Sequence, residues 1–184
     1  MTFHPLRFSY PVRSFRRVRS ILAGVRLRPA AASLAFVIAT TSAASAATLS
    51  RSVDVHATPA AVWSVIGPFC AIKDWHPAIG TCAEKAGSEP TRTLVTKDGT
   101  ATFEETQTAR SDAGHRYSYI FNSSPLPVTN YTSVLQVTAK DRNTSTITWS
   151  SSYTPGRGKE LDASNALSGI YETGLGAIKN RFDR

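Results

Sequence analysis

The sequence predicts an α+β domain in which a curved antiparallel sheet wraps around one long C-terminal helix, with two short helices directly after the first strand. Between residues 79 and 153, short β-branched and aromatic segments alternate with turn residues, which is typical of an antiparallel meander. From Glu160 to Phe182 apolar residues recur in steps of three and four, which predicts an amphipathic helix. A sheet that grips a helix leaves a hollow, and such hollows bind apolar molecules.

The two short helices have clear start and stop signals. Thr58 is a good N-cap, and Pro59 fits the first helical position because its missing N–H would be unpaired there anyway. Gly67-Pro68 ends this helix. A second helix is predicted from residue 69 to residue 75, ended by His76-Pro77.

The strands are predicted from alternating hydrophobicity between turn signals. Asp98-Gly99 is a strong hairpin turn, whereas the proline-containing loop at residues 123–127 is expected to interrupt the sheet. The predicted strands are residues 48–56, 79–84, 91–97, 101–109, 115–122, 131–139 and 144–153.

The formal net charge of +8 on the 184 residues comes from the N-terminal segment. The first 28 residues hold seven arginines, and the first acidic residue is Asp54, which leaves 14 basic against 13 acidic residues in the rest of the chain. A protein that binds phosphates along a groove needs clustered cations. The sequence therefore predicts no nucleic-acid partner.

Residues 1–46 have the order of a cleavable secretory signal peptide. An acid-free basic stretch is followed by an apolar segment at residues 30–39 and by the small residues Ala44-Ser45-Ala46. The apolar segment is shorter than the roughly 20 residues of a membrane span. We therefore expect cleavage after Ala46, a single mature domain at residues 47–184, no stable membrane anchor and a periplasmic or secreted location. A transit peptide, an uncleaved anchor and a twin-arginine signal at Arg16-Arg17 are alternatives.

The two cysteines, Cys70 and Cys82, both lie in the predicted mature domain. Their spacing does not match a CxxC redox motif, and two cysteines are too few for a structural zinc site. Two buried thiols are one interpretation. Because exported proteins retain disulfides, a Cys70–Cys82 bond is the alternative that we expect.

Strand alternation places aromatic and polar side chains together on the inner face of the sheet. An ordinary aromatic core is one interpretation of this face. However, the hydrogen bonds of several tyrosine hydroxyls and a carboxylate are difficult to satisfy in a dry core. This favours a ligand pocket. The candidate ligand-binding residues are Trp75, His76, Phe103, Glu105, Tyr117, Tyr119, Phe121, Tyr131, Trp149, Ile170 and Tyr171.

The catalytic residues, if there are any, are unknown, and the candidates are His76 and Glu105. A carboxylate against aromatic walls has a raised pKa and can act as a base, although Glu105 can equally be an acceptor that orients a ligand. His76 can also be a capping residue before Pro77. The sequence has no GxSxG or phosphate-binding glycine motif, and its histidines are scattered, so we expect no metal and no cofactor.

Two blocks of the sequence resemble a known superfamily. They are Ala57-Thr58-Pro59-Ala60-Ala61-Val62-Trp63 with Phe69 and Asp74-Trp75-His76-Pro77, and then Ser124-Pro125-Leu126-Pro127-Val128 with Asn130-Tyr131 and Trp149-Ser150. These blocks resemble the polyketide cyclase/dehydrase and lipid-transport branch of the SRPBCC superfamily, which also includes START domains and birch pollen allergen. The resemblance covers residues 49–182 and implies the helix-grip fold. Because members of this branch do not share one activity, it implies function less closely.

Three functions are compatible with these observations. The first is an exported binding or carrier protein for a small hydrophobic molecule held between the sheet and the C-terminal helix. The second is a polyketide cyclase or dehydratase-type enzyme that uses the same cavity. The third is an accessory protein that docks on a periplasmic protein partner. The lack of an obvious catalytic pair favours the binding protein, so an enzyme is the less favoured interpretation.

Overall fold

The computed structural model describes residues 45–184. The predicted signal peptide therefore falls almost wholly outside the described residues, and its cleavage stays a prediction. The strands are β1 (Ala47–Val55), β2 (Ile79–Lys85), β3 (Thr91–Thr96), β4 (Thr102–Ser111), β5 (Arg116–Ser123), β6 (Val128–Ala139) and β7 (Ser145–Pro155). The helices are α1 (Pro59–Ile66), a 3₁₀ turn (Phe69–Ala71), α2 (Ile72–Trp75) and α3 (Glu160–Phe182).

The seven strands form one antiparallel sheet in the order β1-β7-β6-β5-β4-β3-β2. Each strand from β2 to β7 pairs with its neighbour in sequence. Strand β1 pairs with β7, so β1 and β2 are the two edge strands. Helix α3 packs on the inner face against β1 and β7. The core lies between this face and α3, where Leu135, Ile147, Leu167 and Ile178 are fully buried. This architecture confirms the predicted fold class.

Helix α1 begins and ends where the sequence predicts. The Thr58 hydroxyl accepts a hydrogen bond from the Ala61 N–H at 3.4 Å, and Pro59 occupies the first turn. Residues 69–75 were expected to form one helix, but they divide into the 3₁₀ turn and the single turn of α2. His76 then adopts an extended conformation, as expected of a residue that precedes a proline.

The loop at residues 123–127 does not interrupt the sheet, contrary to the prediction. It joins β5 to β6, and these strands pair directly, with Tyr117 opposite Leu135. The irregularity instead lies within β6, between Thr129 and Thr132, where Asn130 has a φ of 51°. Asparagine tolerates this left-handed conformation better than most residues, so the strand bends there without ending.

A disulfide joins Cys70 to Cys82, with the two Cα atoms 5.6 Å apart. It links the 3₁₀ turn to β2, which is an edge strand of the sheet. The turn is therefore held covalently at the end of the sheet where β2 to β4 lie.

None of the helices within residues 45–184 combines the length and hydropathy required to cross a membrane.

Candidate functional site

A cavity of about 180 Å³ lies between α3, α2 and the inner face of the sheet. Most of the predicted ligand-binding residues line it. They are His76, Phe103, Glu105, Tyr119, Phe121, Tyr131, Trp149, Ile170 and Tyr171. The wall also contains residues that were not predicted, namely Ile72, Ala78, Ile79, Leu94, Thr96 and Leu167.

Trp75 and Tyr117 do not line the cavity, although both were candidate binding residues. The Trp75 ring packs edge-on against Trp149, with the ring centroids 5.7 Å apart. Tyr117 is covered by Phe69 and Trp63, whose ring centroids lie 5.6 and 5.8 Å from its own. The short helices thus close this part of the sheet, and both residues belong to the packed core.

Four of the residues that line the cavity keep some solvent exposure. Ala78 is exposed, and Thr96, Phe121 and Ile170 are half-buried. These residues come from the loop before β2, from β3 and β5, and from the middle of α3. The remaining wall residues are buried, so these four residues are the part of the wall nearest to solvent.

Three tyrosine hydroxyls meet on the inner wall. The Tyr131 hydroxyl lies 2.6 Å from that of Tyr171 and 3.3 Å from that of Tyr119. The indole N–H of Trp149 donates to the Tyr119 hydroxyl at 3.0 Å and to Ser133 Oγ at 3.1 Å. Burial raises the pKa of each tyrosine above its ordinary value. The hydroxyls therefore stay protonated near neutral pH.

Ser133 holds this network to the sheet. Its hydroxyl donates to the carbonyl of Ser150 at 2.8 Å and lies 3.2 Å from the Tyr171 hydroxyl. Ser133 was not among the predicted site residues, although it shares strand parity with Tyr131 and that parity predicts an inward side chain. A serine on an inner face needs a polar partner, and the tyrosines provide one.

Glu105 is paired with Arg92, which was not among the predicted site residues either. Arg92 Nε donates to Glu105 Oε2 at 2.6 Å, and both side chains are buried, with residue exposures of 1% and 3%. Arg92 Nη2 also lies 2.6 Å from Oε2, although outside hydrogen-bonding geometry. Arg92 Nη1 donates to the Phe69 carbonyl, and its guanidinium lies 4.0 Å above the Phe69 ring centroid. The pair therefore joins β3 and β4 to the 3₁₀ turn.

In this pair, each charge opposes the effect of burial on the pKa of its partner. Burial raises the pKa of Glu105, and the adjacent Arg92 opposes that rise. Burial also disfavours the charge on Arg92, but Glu105, Tyr117 and Tyr119 raise its pKa overall. Since a guanidinium is always protonated and a lone buried cation is very unfavourable, Glu105 is the anion of the pair.

Both ring nitrogens of His76 are occupied by the backbone. Nε2 lies 3.0 Å from the Ile170 carbonyl and must donate to it, while Nδ1 accepts from the Ala78 N–H at 3.2 Å. Burial lowers the pKa of His76, although the Ile170 carbonyl opposes this effect. His76 is therefore a neutral ring that links α3 to the loop before β2, with no free nitrogen for proton transfer.

Comparisons with known proteins agree with this fold. Residues 46–183 match the family described as polyketide cyclase / dehydrase and lipid transport. No curated protein matches the chain. Two solved structures are 34% identical with a TM-score of 0.70, namely XoxI from Bacillus cereus and an uncharacterised protein from Bacillus thuringiensis. Each alignment covers 74% of this chain, and 95% and 98% of those chains respectively.

Two enzymes are similar in fold alone. An aromatase/cyclase from Streptomyces is 14% identical with a TM-score of 0.61, and norcoclaurine synthase from Thalictrum flavum is 13% identical with a TM-score of 0.62. Both alignments cover 74% of this chain and 93% of the enzyme. The seven-stranded sheet, the long C-terminal helix and the match over residues 46–183 together show that the chain belongs to the polyketide cyclase/dehydrase and lipid-transport family of the SRPBCC helix-grip superfamily.

Proposed function

We propose that the protein binds a compact hydrophobic molecule in the cavity between α3 and the sheet. The observation that carries this proposal is a cavity of about 180 Å³ whose wall consists mostly of aliphatic side chains and aromatic rings. Apolar pockets with a few polar groups are the usual form of a small-molecule site.

The volume limits the size of the ligand. A dry protein cavity of about 150 Å³ accepts benzene, whereas drug-sized ligands need roughly 300–1,000 Å³. A cavity of about 180 Å³ therefore accommodates one aromatic ring with one or two further heavy atoms, or the end of an alkyl chain. A polycyclic product would require the wall to open further.

The enzymatic alternative has less support. His76 offers no free nitrogen, because both of its ring nitrogens bind the backbone. Glu105 is neutralised by Arg92, which makes its carboxylate a weaker base than an unpaired one would be. A cyclase or dehydratase reaction through these two residues would therefore need the cavity wall to rearrange.

We also propose that the protein is exported, on grounds that do not depend on the cavity. The order of residues 1–46 is that of a signal peptide, and the Cys70–Cys82 disulfide is of a kind that persists in oxidising compartments. The carrier would then act in the periplasm or outside the cell.

The proposal is tested by titrating the purified protein with toluene and recording ¹H–¹⁵N NMR spectra. We expect saturable shifts at residues that line the cavity. Ile170→Trp should prevent these shifts, because a large side chain at this half-buried position fills part of the cavity. Thr173→Trp is the matched control, since Thr173 is exposed on the same helix and does not line the cavity.

Native mass spectrometry of protein purified from its own host complements the titration, because a retained molecule would identify the ligand class. If the wild-type protein binds toluene nowhere, or binds it equally well after Ile170→Trp, the cavity is not the binding site. An accessory protein that docks on a protein partner would then be the better interpretation.

A further inference from the structure

The polar side chains that line the cavity can be divided by what they offer a ligand. Each hydroxyl, indole or imidazole N–H has a hydrogen to donate, and each oxygen has lone pairs to accept one. In each hydrogen bond one of the two groups must donate. The position of each hydroxyl hydrogen can therefore be assigned from the contacts of the whole network.

The tyrosine network uses all of its hydrogens internally. Ser133 donates its only hydrogen to the Ser150 carbonyl, so in the Ser133–Tyr171 contact the tyrosine must donate. Tyr131 then donates to Tyr171, and Tyr119 donates to Tyr131. The Trp149 N–H is already shared between Tyr119 and Ser133. No hydrogen of this network remains for a ligand.

The other polar hydrogens of the wall are also occupied. His76 Nε2–H donates to the Ile170 carbonyl. The Thr96 hydroxyl donates to Asp98 at 2.6 Å. Four buried side-chain atoms of the described chain make no hydrogen bond, but none belongs to a residue that lines the cavity; they are Trp75 Nε1, Arg92 Nη2, Gln107 Nε2 and Ser151 Oγ.

Glu105 provides an acceptor in this wall. Arg92 approaches Oε2 with both Nε and Nη2, while no hydrogen bond from the described residues reaches Oε1. Glu105 is 3% exposed and lines the cavity. Oε1 is not one of the enclosed atoms without a partner, so it keeps some accessible surface. A ligand that donates to it would form a charge-assisted hydrogen bond.

We infer that the ligand of this cavity is a compact aromatic or alkyl molecule carrying a neutral hydrogen-bond donor, such as a phenol or an alcohol, which donates to Glu105 Oε1. The inference rests on the proposed function and names its ligand class.

The same wall disfavours three other classes of ligand. A carbonyl compound without a hydroxyl has only an acceptor and meets no free side-chain hydrogen. A carboxylate would face the negative charge of Glu105. An ammonium group would place a second cation beside Arg92, so that two buried positive charges share one anion.

Four probes of eight non-hydrogen atoms test this inference by calorimetric titration: ethylbenzene, benzyl alcohol, benzaldehyde and benzylamine. Ethylbenzene reports whether the cavity binds at all. Benzyl alcohol and benzaldehyde differ chiefly in the donor hydrogen, and we expect the alcohol to bind about tenfold more tightly, because a hydrogen bond to a charged acceptor has about this effect on affinity. Benzylamine should bind more weakly than the alcohol at neutral pH.

The double variant Arg92→Met with Glu105→Leu identifies the acceptor. Replacing both members of a buried pair by apolar residues of similar size is tolerated far better than replacing one. We expect this variant to lose the preference for the alcohol over the aldehyde. If the preference survives in the double variant, Glu105 is not the acceptor.

The outcomes separate this inference from the proposed function. Binding of ethylbenzene with equal affinities for alcohol and aldehyde overturns the donor inference and leaves the cavity as a binding site. Failure of all four probes to bind the wild-type protein overturns the proposed function as well. The comparison of benzyl alcohol with benzaldehyde uses wild-type protein only. It therefore tests the donor inference even if the double variant fails to fold.

Discussion

A β-carbon on Gly174 would lie 2.6 Å from Cδ2 of His76, closer than two such carbon atoms can approach. The same β-carbon would lie 3.0 Å from the rings of Trp149 and Trp75. Helix α3 therefore reaches this aromatic cluster only because residue 174 has no side chain. The lack of a side chain in the middle of a helix here serves close packing beside the cavity.

Gly174→Ala should lower the free energy of unfolding by about 1–3 kcal/mol, because the three surrounding rings leave no space for a methyl group. At Gly169 and Gly176 of the same helix, by contrast, a β-carbon would meet no atom within 4 Å. Alanine at these two positions should instead raise stability by about 0.5–1 kcal/mol. Urea denaturation of the three variants checks the contrast, and equal effects would contradict the packing described.

Arg92→Met alone should lower the free energy of unfolding by about 3–5 kcal/mol, because it leaves Glu105 as an unpaired buried charge. Adding Glu105→Leu should recover most of this loss. A double-mutant cycle in urea measures the coupling. If the single variant is as stable as the double variant, Glu105 does not carry a buried charge that depends on Arg92.

Stability should decrease on mild acidification because of His76. Its pKa is lowered by burial from the ordinary value of 6.5, so below that pH the unfolded chain binds a proton that the folded protein does not. The contribution is complete above about pH 6.5 and is lost as the pH falls toward the lowered pKa, with a slope of up to about 1.4 kcal/mol per pH unit.

Unfolding of wild-type protein and His76→Gln between pH 5 and pH 8 measures this contribution. The variant should show a shallower pH dependence below pH 6.5, and the two proteins should have the same slope above pH 7.5. Parallel curves throughout the range would show that His76 is protonated equally in both states.

Replacing Cys70 and Cys82 together by alanine should lower stability by about 3 kcal/mol, the usual effect of opening a loop of this length. Thiol titration of the unfolded, unreduced wild-type protein should detect no free thiol. Two free thiols in protein isolated from an oxidising compartment would contradict the bond. Loss of ligand binding in the variant would further show that the 3₁₀ turn supports the cavity.

Intact-mass analysis of exported protein should give a chain that begins at Ala47, where β1 also begins. Cleavage after Ala46 removes the basic segment and leaves the strand complete. A full-length mass in the soluble exported fraction would contradict the signal-peptide prediction.

The sequence alone determined those features that depend on local chemistry and on periodicity. The cap at Thr58, the extent of α3 and the alternation that turns Tyr119, Tyr131 and Trp149 inward all follow from neighbouring residues. These are short-range preferences, so they can be derived without knowledge of the partner elements.

Only the tertiary structure decided which of the inward-facing residues line the cavity. Tyr117 and Tyr119 share a strand face, but the 3₁₀ turn covers Tyr117 whereas Tyr119 lines the cavity. Arg92 was missed because a cation on an inner face is stable only if a carboxylate lies opposite, and Glu105 reaches that position through the register of β3 with β4. Strand register and helix docking join residues far apart in sequence, and local patterns do not encode those distances.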